Sequence, residues 1–395
     1  MSDNPVVIVA ATRTPIGDLQ GSLSTVTAAD LGAVAIKGAL EQGHVGAQAI
    51  DQVIMGCVLS AGQGQAPARQ ASLKAGLSNT TPCTTINKMC GSGLQAVIMG
   101  HDALLAGSSE TVLVGGLESM SNAPYLVPGA RQGLRMGHRT FVDHMFIDGL
   151  EDAYERGTLM GVYADRTAEK YDISRETQDE FTLNSLSKAQ NAASSGAFND
   201  EIVPVEVKSK RGSDQVVIDE LPTKARPEKI PLLKPAFNTN GTVTAANASG
   251  ISDGASALIL TRLKTAKKQG WPVLARIAAH GTSAHEPQWF TTAPIGAIEG
   301  ALKRAQWQIN DVDLFEINEA FAVVTLAAMK TLKLPAEKIN IHGGACALGH
   351  PIGASGARIL TTLTHALKTH QVSKGVATLC IGGGEAVAVA IEREA

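Results

Sequence analysis

Hydrophobic and polar residues follow two alternating patterns along the first third of the chain. Short continuous apolar runs, typical of buried strands, occupy residues 6–11, 52–58 and 111–116. Segments with apolar residues at helical spacing lie between them, at residues 30–42, 66–75 and 94–106. Because strands and helices alternate in this way, we predict a mixed or largely parallel sheet with helices on both faces.

A similar order of elements returns in the last third of the chain. Residues 273–278 match the opening strand in character, and residues 376–383 match the strand at 112–116. The small-residue turn at 353–356 likewise matches the turn at 90–93. We interpret this as an internal duplication, in which two related halves place their corresponding turns side by side at a shared junction.

Between the halves, residues 119–250 have a different character. Their first part is polar and rich in methionine, and helical patterns follow at residues 161–171 and 175–194. Ser174 stands where the second of these helices would have its N-cap. Residues 208–226 are charged and interrupted by prolines, so we expect a surface loop or hairpin there.

Composition narrows the class of protein. The chain has 395 residues, enough for two or three compact units with a large core. It is 44% apolar and 18% charged, which is typical of a globular domain. The net charge is −3 and no basic block dominates, so we expect no nucleic-acid partner. Because no apolar run reaches membrane length, we expect no membrane partner either.

The termini and the cysteines bear on location. Residues 1–5 lack the charged and apolar segments of a signal peptide, and residues 393–395 do not form a peroxisomal address. The cysteines are odd in number and lack CxxC spacing, which favours a reducing compartment over disulfides or a zinc site. We therefore expect a cytoplasmic protein. The five cysteines are Cys57, Cys83, Cys90, Cys346 and Cys380.

Cys90 lies where an extended run at residues 84–86 gives way to the helical pattern beginning at Leu94. Small residues at 91–93 allow backbone and substrate to approach closely. The free N–H groups of a first helical turn carry partial positive charge, which lowers a cysteine pKa from about 8.5 towards neutrality or below. Cys90 thus has the setting of a nucleophile. On this stretch alone, a buried structural cysteine at a Gly-rich turn explains the pattern equally well.

Three further stretches decide between these interpretations. Residues 340–358 form a Gly/Ala-rich loop that holds His350 before a proline, and residues 377–386 place Cys380 before three glycines. Residues 318–322 read Asn-Glu-Ala-Phe-Ala. Together with the Cys90 motif, these stretches stand in the same order as in the thiolase family. The chain resembles that family almost from end to end, most closely its short-chain acetyl-CoA acetyltransferase branch.

The resemblance implies an α/β fold with a five-layered α-β-α-β-α body, made of two duplicated halves and an inserted loop domain. The N-terminal half, which carries the nucleophilic cysteine, would comprise residues 1–119 and 251–272. The C-terminal half would comprise residues 273–395. The loop domain, residues 120–250, would bind coenzyme A and form tetramer contacts. We therefore expect a homotetramer, arranged as a dimer of dimers, with a dimer as the minimum.

The resemblance also implies a mechanism with acyl-CoA substrates. His350 would remove the proton from Cys90, which takes the acyl group, and the pair would be charged or poised to become so. Cys380 would then remove a proton from acetyl-CoA, so that the carbanion attacks the acyl-enzyme. One oxyanion hole would combine His350 Nε2 with a water held by Asn318, and the other the backbone N–H groups of Cys90 and Gly382. Coenzyme A enters as substrate, and we expect no tightly bound cofactor and no metal.

Further positions match coenzyme A contacts of the family. Ser249 matches the serine that contacts pantetheine. Which basic residue meets the adenine end is open, because Lys224 and Arg226 align equally well. The remaining predicted contacts are Leu150, Met160, Phe237, Ala245, Ala320 and Phe321.

Two positions depart from the short-chain pattern. Leu159 stands where these members commonly have histidine, and Phe290 stands where they have a pocket-lining methionine. These changes leave the catalytic chemistry intact, but they leave the preferred length of the acyl chain undecided. Acetoacetyl-CoA chemistry and a broader 3-ketoacyl-CoA range, as in fatty-acid degradation, both remain as interpretations.

Simpler explanations stand beside the functional ones. From the residue alone, His350 would be a hydrogen-bonded core histidine, Cys380 a buried strand cysteine and Asn318 a helix start. A decarboxylating ketoacyl-synthase-type enzyme would have histidine or asparagine partners in place of Cys380. An inactive lipid-binding or scaffold relative would have lost Cys90, His350 or Cys380, and all three are present. We interpret the other cysteines as packing residues: Cys57, Cys83 and Cys346.

Overall fold

The computed structural model of the protein describes residues 3–210 and 212–393. The targeting expectations for the two termini involve Met1, Ser2, Glu394 and Ala395, which lie outside the described residues. Arg211, within the expected loop at 208–226, also lies outside them. No helix in the described part of the chain is both long and apolar enough to cross a lipid bilayer.

The described residues form fourteen strands: β1 (Val6–Arg13), β2 (Gly17–Asp18), β3 (Gln52–Gly56), β4 (Cys83–Ile86), β5 (Thr111–Ser119), β6 (Tyr125–Leu126), β7 (Val142–Asp143), β8 (Val205–Ser209), β9 (Gly212–Val216), β10 (Ser252–Arg262), β11 (Ala275–Ala284), β12 (Leu314–Ile317), β13 (Lys374–Ile381) and β14 (Glu385–Glu392). They also form eleven α-helices: α1 (Ala28–Gly43), α2 (Pro67–Lys74), α3 (Ser92–Ala106), α4 (Met160–Lys170), α5 (Arg175–Ser195), α6 (Leu221–Lys224), α7 (Leu263–Gln269), α8 (Ala293–Ala305), α9 (Ala322–Leu332), α10 (Ala345–Leu348) and α11 (Ser355–Thr369).

The two halves repeat one strand order and one set of strand directions. In the N-terminal half the order is β1-β10-β5-β3-β4, with β10 antiparallel to both neighbours and β5 parallel to β3. In the C-terminal half the order is β11-β14-β13-β12, with β14 antiparallel to both neighbours and β13 parallel to β12. The halves join through a short antiparallel pairing of β1 with β11. The expected duplication is therefore confirmed.

Alternating side chains explain why helices cover both faces of each half. In β1, Val6 and Ile8 face a buried cluster shared with α3 and α11, whereas Val7 and Val9 face one shared with α1 and α2. In the C-terminal half, a third cluster packs the opposite face of the sheet against α8 and α9. Helices α3 and α11 contact each other between the halves. The layers thus run α-β-α-β-α, as expected.

The inserted region contains the helices and the hairpin that the sequence predicted. Ser174 caps α5, and its Oγ accepts a hydrogen bond from the backbone N–H of Thr177. Strands β8 and β9 form an antiparallel hairpin within the charged segment. Buried Arg13 anchors the region to β1, because its guanidinium bonds Glu201 at 2.6 Å and Asp219 at 2.7 Å. This buried ion network was not predicted.

Candidate active site

Cys90 lies on a strained turn between β4 and α3. The residue before it, Met89, has a φ angle of 47°, in the left-handed region that non-glycine residues rarely adopt. Ser92 holds the turn: its Oγ accepts from the backbone N–H of Lys88 at 2.8 Å and donates to the carbonyl of Met89 at 2.7 Å. The Asn87 side chain accepts from the N–H of Met89 at 2.9 Å. This turn conformation places Cys90 at a cleft between the halves.

The glycines beside Cys90 allow the C-terminal half to approach closely. A Cβ atom on Gly91 would lie 2.3 Å from the Cδ1 atom of Ile381, and one on Gly93 would lie 2.7 Å from the backbone nitrogen of Ala357. Ile381 ends β13, and Ala357 belongs to the first turn of α11. The turns of the two halves therefore meet, as the duplication predicted.

His350 faces the same cleft as an unprotonated base. Ser355 Oγ donates to the carbonyl of Pro351 at 2.9 Å, so it accepts at 2.5 Å from Nδ1–H of His350. This assignment leaves Nε2 of the neutral ring without a proton. Nε2 is buried, and the described residues offer it no hydrogen-bond partner. Burial, helped by the charge of Arg358, lowers the pKa of His350 to about 4.

Cys90 and Gly382 line the cleft, and Cys380 is buried next to Cys90 without lining the cleft itself. Cys380 is fully buried near the end of β13, and burial together with the adjacent Cys90 raises its pKa. The backbone N–H groups of Gly382 and Cys90 point at the Cys90 thiol and stabilise its anion. Burial nevertheless outweighs them and raises the pKa of Cys90 to about 11, with a further contribution from the charge of Glu118. The expected lowering of the Cys90 pKa is therefore wrong for the unliganded protein.

Asn318 follows β12 and is not a helix cap. Helix α9 begins four residues later, with Phe321 at its N-cap position. The Asn318 side chain is buried, and the described residues give neither its oxygen nor its nitrogen a hydrogen-bond partner. Buried polar groups of this kind are rare, so the amide is suited to hold a water or a ligand. Next to it, buried Glu319 accepts hydrogen bonds from Ser185, Asn340 and the N–H of Cys346.

The cleft has a volume of about 420 Å³, and two of the predicted catalytic residues, Cys380 and Asn318, are buried and do not line it. It brings together Cys90, His350 and Gly382 with all but one of the predicted coenzyme A contacts: Leu150, Met160, Phe237, Ala245, Ser249, Ala320 and Phe321. Leu159 and Phe290, the two departures from the short-chain pattern, line it as well. Its wall is mainly apolar, which suits the pantetheine arm of an acyl-CoA.

Lys224 lies outside this cleft. Its ammonium group pairs with Glu220 at 2.6 Å and with Asp18 at 3.3 Å. It borders a second cleft of about 300 Å³, which it shares with Arg226 and Lys229. Ala245 lines both clefts, so the second adjoins the first. Cys346 borders only the second cleft, and its thiol lies 3.5 Å from the carbonyl of Asn247 and 3.6 Å from that of Glu319.

Glu118 was not predicted as a site residue, although it connects two loops beside the cleft. Its buried carboxylate accepts from the backbone N–H groups of Val58 at 3.0 Å, Leu59 at 3.1 Å and Gly353 at 2.8 Å. Burial raises the pKa of this carboxyl to about 7. The only local signal was a charged residue at the end of an apolar strand. Other unpredicted lining residues include Asp18, Leu19, Met120, Phe146 and Ile352.

Two family models cover nearly the whole chain: "Thiolase, N-terminal domain" matches residues 6–264, and "Thiolase, C-terminal domain" matches residues 271–393. The chain belongs to the thiolase family. It is 48% identical to the acetyl-CoA acetyltransferase of Cupriavidus necator over 392 residues, covering 98% of this chain and 99% of the relative. It is also 48% identical to that of Pseudomonas aeruginosa over 391 residues, with the same coverage. A probable acetyl-CoA acyltransferase of Staphylococcus aureus is 46% identical over 390 residues, covering 98% of this chain and 99% of the relative.

Proposed function

We propose that the protein is an acetyl-CoA C-acetyltransferase. It joins two acetyl-CoA molecules into acetoacetyl-CoA and free coenzyme A, and it catalyses thiolytic cleavage in the reverse direction. The observation that carries this proposal is that Cys90 and His350 line one mainly apolar cleft, with Cys380 buried next to Cys90. The names of the relatives from C. necator and P. aeruginosa support the same activity.

In the first half-reaction, His350 Nε2 accepts the proton of the Cys90 thiol. The thiolate attacks the thioester carbonyl, the carbon–sulfur bond to coenzyme A breaks, and the leaving thiolate takes the proton from His350. Because the raised pKa of Cys90 keeps its thiol protonated at rest, His350 must take the proton before or during the attack. The N–H groups of Cys90 and Gly382 hold the developing oxyanion.

In the second half-reaction, Cys380 passes its thiol proton to Nε2 of His350 and, as thiolate, removes a proton from the methyl group of acetyl-CoA. The new Nε2–H of His350 and a water held by the Asn318 amide stabilise the enolate oxygen of this acetyl-CoA. The carbanion attacks the acyl group on Cys90, the acyl–sulfur bond breaks, and the leaving Cys90 thiolate takes the proton from His350 Nε2. The Asn318 amide is buried and has no hydrogen-bond partner among the described residues, which supports its role in holding this water.

Coenzyme A is a substrate in this scheme, and we propose that the reaction uses no tightly bound cofactor and no metal. Ser249 and the apolar wall receive pantetheine. The basic side chains of the second cleft, Lys224, Arg226 and Lys229, are placed to meet phosphate at the adenine end. Lys224 would have to share its charge with Glu220 and Asp18, so Arg226 or Lys229 is the better partner.

We further propose a cytoplasmic homotetramer. Large apolar side chains are exposed on the inserted region, among them Met136 at 87%, Phe141 at 70% and Tyr125 at 65%. Such side chains are typical of a surface that packs against another subunit. Size-exclusion chromatography with light scattering tests this assembly, and a monomer would contradict it.

A broader 3-ketoacyl-CoA thiolase is the second candidate. Leu159 and Phe290 both line the cleft, and the S. aureus relative is named an acyltransferase. Thiolysis by coenzyme A of acetoacetyl-CoA, 2-methylacetoacetyl-CoA and longer 3-ketoacyl-CoA substrates, compared by kcat/KM, separates the two. We expect a steep preference for acetoacetyl-CoA. Activity that is flat or rises with chain length would contradict that preference. If the Phe290→Met variant then preferred acetoacetyl-CoA, Phe290 would be the cause of the broader range.

A further inference from the structure

A second cluster of reactive side chains lies away from the cleft, near the C-terminal end of α3. It consists of His101 and Asp102, which are neighbours on α3, and His280 on β11. None of the three lines the active-site cleft. The cluster joins the helix that begins at the Cys90 turn to the first strand of the other half.

We propose that these three residues form a binding site for a divalent transition-metal ion of the zinc and cobalt type. His101 Nδ1 and His280 Nε2 lie 3.0 Å and 3.1 Å from the same atom, Asp102 Oδ1. All three ligand atoms lie within 4.8 Å of one another. Metal–ligand bonds of about 2.0–2.2 Å separate neighbouring tetrahedral ligands by roughly 3.2–3.6 Å, so the distances from Asp102 to both nitrogens are already close to those of a metal site.

The donor set selects the class of ion. Two imidazole nitrogens and one carboxylate oxygen suit zinc, cobalt or nickel, whereas calcium and magnesium prefer oxygen ligands throughout. The imidazole rings of His101 and His280 stand edge to face, with centroids 5.3 Å apart, and each has one nitrogen within hydrogen-bond distance of Asp102. Asp102 is 57% exposed, so an ion reaches the site from solvent and water can complete its coordination.

The surroundings set the strength of binding. The positive charge of Arg262 acts on the site, and the cluster offers only one carboxylate to offset the charge of the ion. The described residues leave the buried Nδ1 of His280 without a partner, and missing second-shell partners weaken sites by about 10–100-fold. We therefore expect roughly micromolar affinity.

Cobalt binding tests the site directly. The full-length protein, treated with chelator and dialysed, is titrated with Co²⁺ by absorption and with Zn²⁺ by calorimetry. We expect one ion per chain, visible d–d absorption of cobalt, and a rise in the thermal midpoint on Zn²⁺ addition. His280→Ala and Asp102→Asn should each weaken binding at least tenfold. His138→Ala, which removes an exposed histidine elsewhere, should not.

Three results would overturn the proposal: no binding, binding that survives both site variants, or a cobalt spectrum with the charge-transfer bands of thiolate ligands. The last would place the ion on cysteines. Because the site lies outside the active cleft, thiolysis by both variants should remain near that of the parent protein. Retained thiolysis also shows that a variant which fails to bind cobalt is folded.

Discussion

Ser355→Ala is expected to slow acyl transfer without weakening substrate binding. Ser355 is the partner that holds His350 in its Nδ1–H form, with the lone pair of Nε2 free for the Cys90 proton. Ser355 itself does not line the cleft. Its removal leaves a buried N–H without an acceptor, or lets the ring turn or change tautomer, and each of these takes the base out of position.

The size of the effect follows from the cost of the lost bond. A buried donor left without a partner costs about 1–3 kcal/mol. If the whole of this penalty falls on the reactive arrangement, kcat and kcat/KM fall by about 5–150-fold, since 1.4 kcal/mol corresponds to about tenfold in rate. KM should change little, because no contact with substrate is removed.

The assay is the rapid release of coenzyme A from acetyl-CoA in a single turnover, which reports acylation of Cys90. Ser72→Ala is the matched control: Ser72 is also buried and donates to the carbonyl of the residue four positions earlier, Ala68, but lies outside the cleft. Acylation by Ser355→Ala within twofold of the Ser72→Ala rate would refute the account of His350.

Two further predictions concern titration. Because the pKa of Cys90 is about 11 in the unliganded protein, inactivation by iodoacetamide should rise about tenfold per pH unit between pH 7 and pH 9; a plateau below pH 8 would indicate a resting thiolate. The folded-state pKa of Glu118 is about 7, above the ordinary value of 4.5, so its ionisation costs stability as pH rises through that interval. In urea unfolding, the stability of the parent protein relative to Glu118→Gln should fall by up to about 3 kcal/mol from pH 4.5 to pH 8. Parallel stability curves would contradict this.

The elements of the fold were predictable where a pattern was local. Apolar runs gave the strands, and the return of the same order gave the duplication, which the matching strand directions of β1-β10-β5-β3 and β11-β14-β13-β12 confirm. The buried network of Arg13 with Glu201 and Asp219 was not predictable, because Arg13 lies 188 and 206 positions from the two acids and each residue alone is typical of a surface charge.

In the candidate active site, too, local patterns were predictable and contacts between distant residues were not. The small residues around Cys90 and His350 indicated a place where chain segments approach closely. The pKa of Cys90 was predicted in the wrong direction, because the helix terminus is local while burial comes from the other half of the molecule. Glu118 was missed for a similar reason: it acts on N–H groups near residues 58 and 353, which only the folded chain brings to it.

The central claim is that Cys90 carries the acyl group and Cys380 activates the second substrate. The most direct measurement is peptide mass spectrometry after acetyl-CoA is added to the parent protein, to Cys90→Ala and to Cys380→Ser. We predict one acetyl group on the Cys90 peptide of the parent and of Cys380→Ser, with none at the active site of Cys90→Ala. The acetylated Cys380→Ser protein should form acetoacetyl-CoA at least a hundredfold more slowly than the parent. An active-site acetyl group retained in Cys90→Ala, or normal condensation by Cys380→Ser, would contradict the account.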